Sequence, residues 1–321
     1  MIVPILLFVL GLILLIKGGD WFVDSAVHIA ERFHLPKILI GATVVSIGTT
    51  VPEVMVSATS ALSGHGEIAY GNAIGSIICN TALIAAITMA VKPGAVERKS
   101  LKWPLAFFFV ASAIYFIMAY GFGYFSRTSG VILLLLFLVY ITMQIVAAKN
   151  SIKGNKESAD NDSKEEPLLK SIVMLIVGAV VIAIGANLLV ENGTLIAQAL
   201  GVPESVIALT FVALGTSLPE LVTAVTSLVK GQSDLSLGNV IGANLFNLVL
   251  VCGTSITLSP FALPSGKTLM GYNSSLVVDM PLMLGVMLIL SVPAIIRNKL
   301  YRAQGIILLL IYGSFCVYQF M

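Results

Sequence analysis

Two glutamates, Glu53 and Glu220, lie in the middle of long apolar stretches of this 321-residue chain. Apart from these two residues, the stretches 38–66 and 205–229 contain no Asp, Glu, Lys or Arg. A charged side chain in the middle of a membrane helix costs roughly 2.5–3.5 kcal/mol even on the mildest insertion scale. Because no basic residue nearby in the sequence can pair with them, we expect a proton or a metal cation from solution to neutralise the two carboxylates.

Each glutamate ends a similar motif, GTTVPE at 48–53 and GTSLPE at 215–220. A proline inside a helix has no N–H for the carbonyl four residues earlier, so each motif is predicted to free a backbone oxygen one turn before its carboxylate. Residues three and four positions apart share a helix face. The hydroxyls expected beside the carboxylates on this basis are those of Thr49, Thr50, Thr216 and Ser217.

A second motif follows each of the first, GNAIGSIICN at 71–80 and GNVIGANLFN at 238–247. Glycines spaced four residues apart let neighbouring helices approach closely. The helices that carry Asn80 and Asn247 are therefore expected to pack inward, towards the glutamates.

The oxygens collected in this way predict the chemistry of the site. Carboxylate, hydroxyl, amide and carbonyl oxygens are hard ligands, which suit Na⁺ and Ca²⁺. Two carboxylates can neutralise one Ca²⁺ or two Na⁺, so one site could hold either load but not both, and this gives ion exchange a physical basis. No Cys–His pair lies within the apolar stretches, so soft-metal chemistry is not expected.

The composition places the chain in lipid. It is 58% hydrophobic and 11% charged, whereas soluble proteins carry about 25% charged residues. Many uncharged stretches reach the ~20 residues that a membrane-spanning helix needs. We predict an all-α polytopic membrane protein with ten transmembrane helices, at 2–18, 37–62, 68–91, 103–121, 128–148, 170–190, 203–229, 235–258, 273–296 and 302–320.

The two halves of the chain repeat each other at a fixed offset. Glu220 lies 167 residues after Glu53, and Asn247 lies 167 residues after Asn80. At this offset, residues 20–80 align without a gap with residues 187–247, with Pro, Gly, Asn and Glu in register. Because each half has five spans, the second enters the membrane from the opposite side, which predicts two inverted five-helix repeats. Secondary transporters are typically built this way, with sites where the repeats meet.

The basic residues predict the orientation in the membrane. With the N-terminus outside, the outer loops contain only Arg127 and Lys267, which satisfies the positive-inside rule. We therefore expect a multi-pass protein of the cell (inner or plasma) membrane with both termini outside. The hydrophilic segment 149–170 has mixed charge, which indicates a flexible cytoplasmic linker. The predicted units are a first repeat (1–149), the linker (150–169) and a second repeat (170–321).

These paired motifs resemble the repeats of the cation/calcium antiporter superfamily, in particular its sodium/calcium exchanger branch of the prokaryotic type. The resemblance covers nearly the whole chain. It implies a secondary active antiporter that works by alternating access, in which Na⁺ moves down its gradient and Ca²⁺ is exported. It also implies that the first and sixth spans slide as a gating pair across the other eight.

The resemblance also implies a role for each site residue. Glu53 and Glu220 would be the central Ca²⁺ and Na⁺ ligands, and Asn80 and Asn247 would complete the centre. The four hydroxyl residues would contribute hydroxyl or backbone oxygens. Further ligands would be the backbone carbonyls of Ser46 and Ala213, and the Ser76 side chain at an outer Na⁺ position.

Two positions depart from the pattern of the family. Potassium-dependent relatives place Asp where this chain has Asn247, so we expect no coupling to K⁺. Ala243 stands where some relatives have Ser, which removes a hydroxyl from one peripheral Na⁺ site and leaves the Na⁺ stoichiometry open.

Other functions remain to be weighed against Na⁺/Ca²⁺ exchange. A Ca²⁺/H⁺ antiporter, or an antiporter for another divalent cation, would keep the fold and use the glutamates as proton carriers. An intramembrane enzyme is disfavoured because the glutamates lack a recognisable catalytic partner. A passive channel is disfavoured because two anionic ligands at a packed crossing favour occlusion. We expect no enzymatic activity and no cofactor; the expected ligands are Na⁺, Ca²⁺ and the lipid bilayer, with no nucleic acid and no obligate protein partner.

Overall fold

The computed structural model describes residues 2–33, 35–155, 167–200 and 215–320, and these are almost entirely helical. Eight of the described helices are long and apolar enough to cross a membrane, and Leu218–Val229 is apolar but shorter. Three short antiparallel pairings join loops: Gly94–Ala95 with Lys299–Leu300, Tyr124–Phe125 with Phe261–Ala262, and Thr268–Leu269 with Tyr272–Asn273. The helices are α1 (Ile2–Arg32), α2 (Lys37–Leu62), α3 (Gly66–Val91), α4 (Arg98–Phe122), α5 (Arg127–Asn155), α6 (Leu168–Ala199), α7 (Leu218–Val229), α8 (Ser233–Leu258), α9 (Ser275–Arg297) and α10 (Arg302–Phe320).

Each predicted span contains a helix in the part that the structure describes, but residues 215–217 of the span 203–229 form a turn and several ends are wrong. The predicted spans 2–18 and 170–190 stop too early, because α1 continues to Arg32 and α6 to Ala199. The charges near residues 17–24 and 191 suggested helix ends, yet the extension of α1 buries one apolar face, which includes Phe22 and Ala26. The helix α5 also runs into the predicted linker 150–169 and ends at Asn155.

The number of membrane spans stays a prediction. The seventh predicted span, 203–229, is described only from its second half, where α7 begins at Leu218. Residues 201–214 lie outside the described part of the chain.

Charged residues on the extension of α1 pair with residues that are distant in sequence. Lys230, between α7 and α8, lies 2.8 Å from Asp24 Oδ1 and 3.2 Å from Asp20 Oδ1. Partial burial alone would lower the pKa of Lys230, but hydrogen bonds to Asp24 and Asp20 outweigh that effect, so the pKa is raised above its ordinary value. Lys37, at the start of α2, lies 2.9 Å from Glu31 near the end of α1. These ion pairs tie the end of α1 to its neighbours.

The helices α1 and α6 cross in antiparallel directions through glycines that leave no room for a side chain. A Cβ atom on Gly11 would lie 2.9 Å from Gly185 O, and a Cβ atom on Gly178 would lie 3.0 Å from Gly18 O. The second contact is the first with the repeats exchanged, because Gly178 and Gly185 lie 167 residues after Gly11 and Gly18. Inverted repeats require corresponding helices to run antiparallel, so this crossing supports the prediction of inversion.

The buried apolar side chains form two clusters. One cluster is built mainly from α1 and α6, with Leu15 and Phe22 facing Leu175 and Ile182. The other, which is larger, joins α3, α4, α5, α8, α9 and α10. The helix α8 is at the centre of the molecule, since 94% of its most apolar window is buried. The first cluster also includes Ile40 and Val45 of α2 and Leu235 of α8, so the α1–α6 pair packs against these helices through it.

The helices α2 and α8 approach each other almost backbone to backbone. A Cβ atom on Gly238 would collide with the Ile38 carbonyl, and one on Gly242 would lie 2.6 Å from Ala42 Cα. The close packing predicted from the glycine spacing is therefore confirmed for α8. The corresponding partners of the glycines on α3 would fall within 205–213, outside the described residues.

A methyl group added at the α1–α6 crossing should destabilise the protein. In Gly178→Ala the new Cβ atom would lie 2.8 Å from Phe22 N, which is backbone and cannot rotate away. We expect a loss of about 1–3 kcal/mol in the free energy of unfolding, measured as a lower thermal unfolding midpoint in detergent. Gly313→Ala on α10 is the matched control, because its Cβ atom would meet no described atom within 4 Å. Equal midpoints for the two variants would contradict this close crossing.

Candidate cation site

Glu53 on α2 and Glu220 on α7 are both fully buried. Their four carboxylate oxygens have no hydrogen-bond partner among the described residues. The helices that carry them, α2 and α7, are in contact with each other. An unpaired buried charge costs several kcal/mol, and here two groups of like charge are buried on neighbouring helices. The arrangement therefore calls for positive charge between or beside them.

The two prolines occupy different positions in their helices. Pro52 lies inside α2, so the helix carries no N–H to donate to Gly48 O at this point. Pro219 is the second residue of α7, and residues 215–217 before it form a turn. Gly215 O accepts a hydrogen bond from Leu218 N at 3.4 Å. The prediction of a freed carbonyl is therefore wrong for the second motif, because Gly215 precedes the α-helix, which begins only at Leu218.

Both asparagines of the predicted site begin a π-helical turn. These turns are Asn80–Ala85 in α3 and Asn247–Cys252 in α8, and they correspond at the 167-residue offset. π-Helical turns inside α-helices often mark functional sites. Asn247 Nδ2 donates to Ala243 O at 3.1 Å. Because a carbonyl can only accept, the amide nitrogen must face it, and Asn247 Oδ1 is left buried without a partner.

Two threonines of the GT[TS]xPE motifs are bonded to asparagines of the opposite repeat. Thr49 Oγ1 donates to Asn239 Oδ1 at 3.3 Å, and Thr216 Oγ1 donates to Asn72 Oδ1 at 3.1 Å. Exchanging the repeats turns one bond into the other. Asn72 and Asn239 are not among the predicted site residues, although each is the second residue of its motif, at 71–80 and 238–247. Their signal in the sequence was their match at the 167-residue offset.

The hydroxyls of the site differ between the repeats. Ser217 Oγ lies 3.4 Å from Ser76 Oγ. The corresponding pair would be Thr50 with residue 243, but Ala243 has no hydroxyl, and Thr50 Oγ1 is buried without a partner. The departure noted at Ala243 therefore has a visible consequence in the structure.

Ser46 connects α2 to α8 through its side chain. Ser46 Oγ lies 2.7 Å from Gly41 O and 3.0 Å from Asn239 O. Its backbone carbonyl, the predicted ligand, lies 3.4 Å from Thr49 Oγ1. Its predicted counterpart Ala213 lies outside the described residues.

The described part of the site offers the donor set of a hard cation. Seven buried oxygens of predicted site residues have no partner there: Thr50 Oγ1, both carboxylate oxygens of Glu53 and of Glu220, Asn80 Oδ1 and Asn247 Oδ1. Ca²⁺ takes about 6–8 oxygen ligands, and Na⁺ also prefers oxygen. Ion binding by these residues stays a prediction.

Comparison with known proteins identifies the family. The family model described as "Sodium/calcium exchanger protein" matches residues 3–146 and 170–321. The sodium/calcium exchanger MaX1 of Methanosarcina acetivorans is 30% identical, covering 99% of each chain. The inner membrane protein YrbG of Escherichia coli K12 is 32% identical, covering 81% of each chain.

A solved structure shows the same fold. The sodium–calcium exchanger NCX_Mj, soaked with Na⁺ and Sr²⁺, matches with a TM-score of 0.79 and 32% identity, covering 98% of this chain and 97% of that one. With eight described helices able to cross a membrane, this chain is a multi-pass membrane protein that belongs to the sodium/calcium exchanger family.

Proposed function

We propose that this protein is a secondary active antiporter that exchanges Na⁺ for Ca²⁺ across the membrane by alternating access, normally exporting Ca²⁺. The observation that carries the proposal is the pair of glutamates at the meeting point of the repeats, with four buried carboxylate oxygens that lack partners among the described residues. Membership of the exchanger family supports the choice of ions.

The proposed ligands explain exchange by competition for charge. Glu53 and Glu220 carry a combined charge of −2 when ionised, which one Ca²⁺ or two Na⁺ would neutralise. Both loads together would leave excess positive charge in a buried site, which is unfavourable. The neutral oxygens complete the coordination: those of Thr49, Thr50, Thr216, Ser217, Asn80 and Asn247, with Ser46, Ala213 and Ser76 at the edges.

The packing of α1 and α6 supports alternating access. These helices supply most of the smaller apolar cluster and approach each other closely at glycines. In the proposed cycle the pair moves as one body across the remaining helices and uncovers the site from one side at a time. The inverted repeats would make the two exposed states alike, as in other transporters of this architecture.

The proposed orientation follows the basic residues. Both termini face the outside, and the linker 150–169 faces the cytoplasm, between the repeats 1–149 and 170–321. Lys230 and Lys37, whose ion pairs hold the end of α1, are then on the cytoplasmic side.

A Ca²⁺/H⁺ antiporter is the second candidate, because unpartnered buried carboxylates can also carry protons. Hydroxyl and amide oxygens around the glutamates favour Na⁺, since a proton needs no such coordination shell. The coupling ion is therefore the property to measure first.

Transport by the purified protein in liposomes should depend on Na⁺. We expect vesicles loaded with Na⁺ to take up ⁴⁵Ca²⁺ from a Na⁺-free medium, because outward Na⁺ movement drives the exchange. Vesicles loaded with K⁺ should show only the leak of protein-free liposomes, since Asn247 replaces the aspartate of potassium-dependent relatives. Uptake that ignores Na⁺ but follows an imposed pH gradient would instead establish the Ca²⁺/H⁺ alternative.

Neutralising either central glutamate should abolish exchange without unfolding the protein. Glu53→Gln and Glu220→Gln keep the side-chain shape but leave a single negative charge, too little to balance Ca²⁺. We expect uptake to fall at least ~100-fold, which corresponds to about 2.7 kcal/mol, together with loss of thermal stabilisation by Ca²⁺. Glu67→Gln, at an exposed glutamate at the start of α3, is the control and should transport normally. Normal uptake by either site variant would remove that glutamate from the site.

A further inference from the structure

Asn72 holds three parts of the site together through one side chain. Its Nδ2 donates to Glu53 O at 3.2 Å and to Ser57 Oγ at 2.8 Å. Its Oδ1 accepts from Thr216 Oγ1 at 3.1 Å. Asn72 thus connects α2 and α3 of the first repeat to the turn before α7 in the second. It is not among the ligands proposed above.

These bonds fix the orientation of the Asn72 side-chain amide. The Glu53 carbonyl can only accept a hydrogen bond, so the amide nitrogen of Asn72 must face it. The amide oxygen must then face Thr216. Because that oxygen can only accept, the Thr216 hydroxyl has to donate its single proton to Asn72.

A hydroxyl with a committed proton behaves differently from a free one. Its lone pairs are available to an electropositive partner. A free hydroxyl could instead donate its proton to a carboxylate of the site. That hydrogen bond would have to be broken before a cation could use the oxygen.

We propose that Asn72 is a positioning residue that holds the Thr216 hydroxyl with its lone pairs towards the cation. The inference rests on the proposed function, because it assumes that Thr216 is a ligand, and it adds a residue that acts through that ligand. The cation is the monovalent or divalent ion of the exchange.

Asn239 corresponds to Asn72 in the second repeat and also accepts a hydrogen bond from a threonine, but fewer hydrogen bonds fix its own side chain. Asn239 Oδ1 accepts from Thr49 Oγ1 at 3.3 Å, but this hydroxyl also lies 3.4 Å from Ser46 O. Asn239 Nδ2 is buried without a partner, and Ala224 stands where the first repeat has Ser57. The proton of Thr49 is therefore not committed to one acceptor, and the orienting role belongs chiefly to Asn72.

The test measures how ⁴⁵Ca²⁺ uptake into liposomes depends on the internal Na⁺ concentration. Asn72→Ala should raise the half-saturating Na⁺ concentration about 5- to 10-fold, the effect of roughly one misplaced hydrogen bond. Asn239→Ala is the matched control and should cause a smaller rise. Ser57→Ala should also cause little change, because the Glu53 carbonyl still anchors the amide.

The readout that separates positioning from general packing is a double-mutant cycle with Thr216. If Asn72 acts through the hydroxyl, Asn72→Ala should have no further effect on Na⁺ dependence in a Thr216→Val protein. Its effect should persist in a Thr216→Ser protein, which retains the hydroxyl. Additive effects in both backgrounds would overturn the proposal. If Asn72→Ala does not fold, Asn72→Gln keeps the amide but moves it by one methylene group, and it is tested in the same cycle.

The outcome distinguishes the two proposals. Wild-type protein that shows Na⁺-dependent uptake, with an unchanged half-saturating Na⁺ concentration in Asn72→Ala, refutes the role of Asn72 alone. Wild-type protein without Na⁺-dependent uptake refutes the proposed function, and this inference falls with it.

Discussion

The central constraint on this protein is a pair of buried carboxylates with no positive side chain paired to them in the described part of the chain. Glu53 and Glu220 come from different halves of the chain, and each is fully buried. In a soluble protein such a pair would be removed by mutation or matched by Lys or Arg, because an unpaired buried charge is costly. Three further site oxygens, Thr50 Oγ1, Asn80 Oδ1 and Asn247 Oδ1, also lack partners among the described residues. A fold that retains this arrangement needs cations from outside the chain, and exchange in the proposed function follows from that need.

The scaffold that presents the carboxylates is built from contacts that occur twice. The glycine contacts between α1 and α6, and the two threonine–asparagine bonds, each map onto their partner when the halves are exchanged. In this way each GT[TS]xPE motif is supported by the GN motif of the other half. Close backbone approach at Gly238 and Gly242 then removes the space that side chains would fill. Most oxygens of the site are thereby held by helices, whereas those of Thr216 and Ser217 lie in the turn before α7.

The sequence predicted which polar residues the fold brings together better than it predicted where the helices end. A carboxylate in an uncharged span and its repetition at 167 residues are local signals, so Glu53, Glu220 and their neighbouring hydroxyls could be found by inspection. The continuation of α1 beyond residue 18 could not be found in this way, because charged residues such as Asp20 and Asp24 usually indicate the end of a membrane helix. Their partner Lys230 is distant in sequence. Asn72 was missed for a related reason: its role depends on a contact with residue 216 that only the packing of the two halves creates.

The positions at which the two halves differ bear on the relative energies of the two exposed states in the proposed cycle. In a transporter whose two exposed states are related by exchanging like repeats, identical repeats would give those states equal energy. Any preference for one state must then arise where the repeats differ. The ion pair of Lys230 with Asp24 is one such place, because Ser63 stands at the position that corresponds to Lys230. This pair holds the end of α1 without a counterpart at the corresponding position, so in the proposed cycle it is one contact that would favour one exposed state over the other.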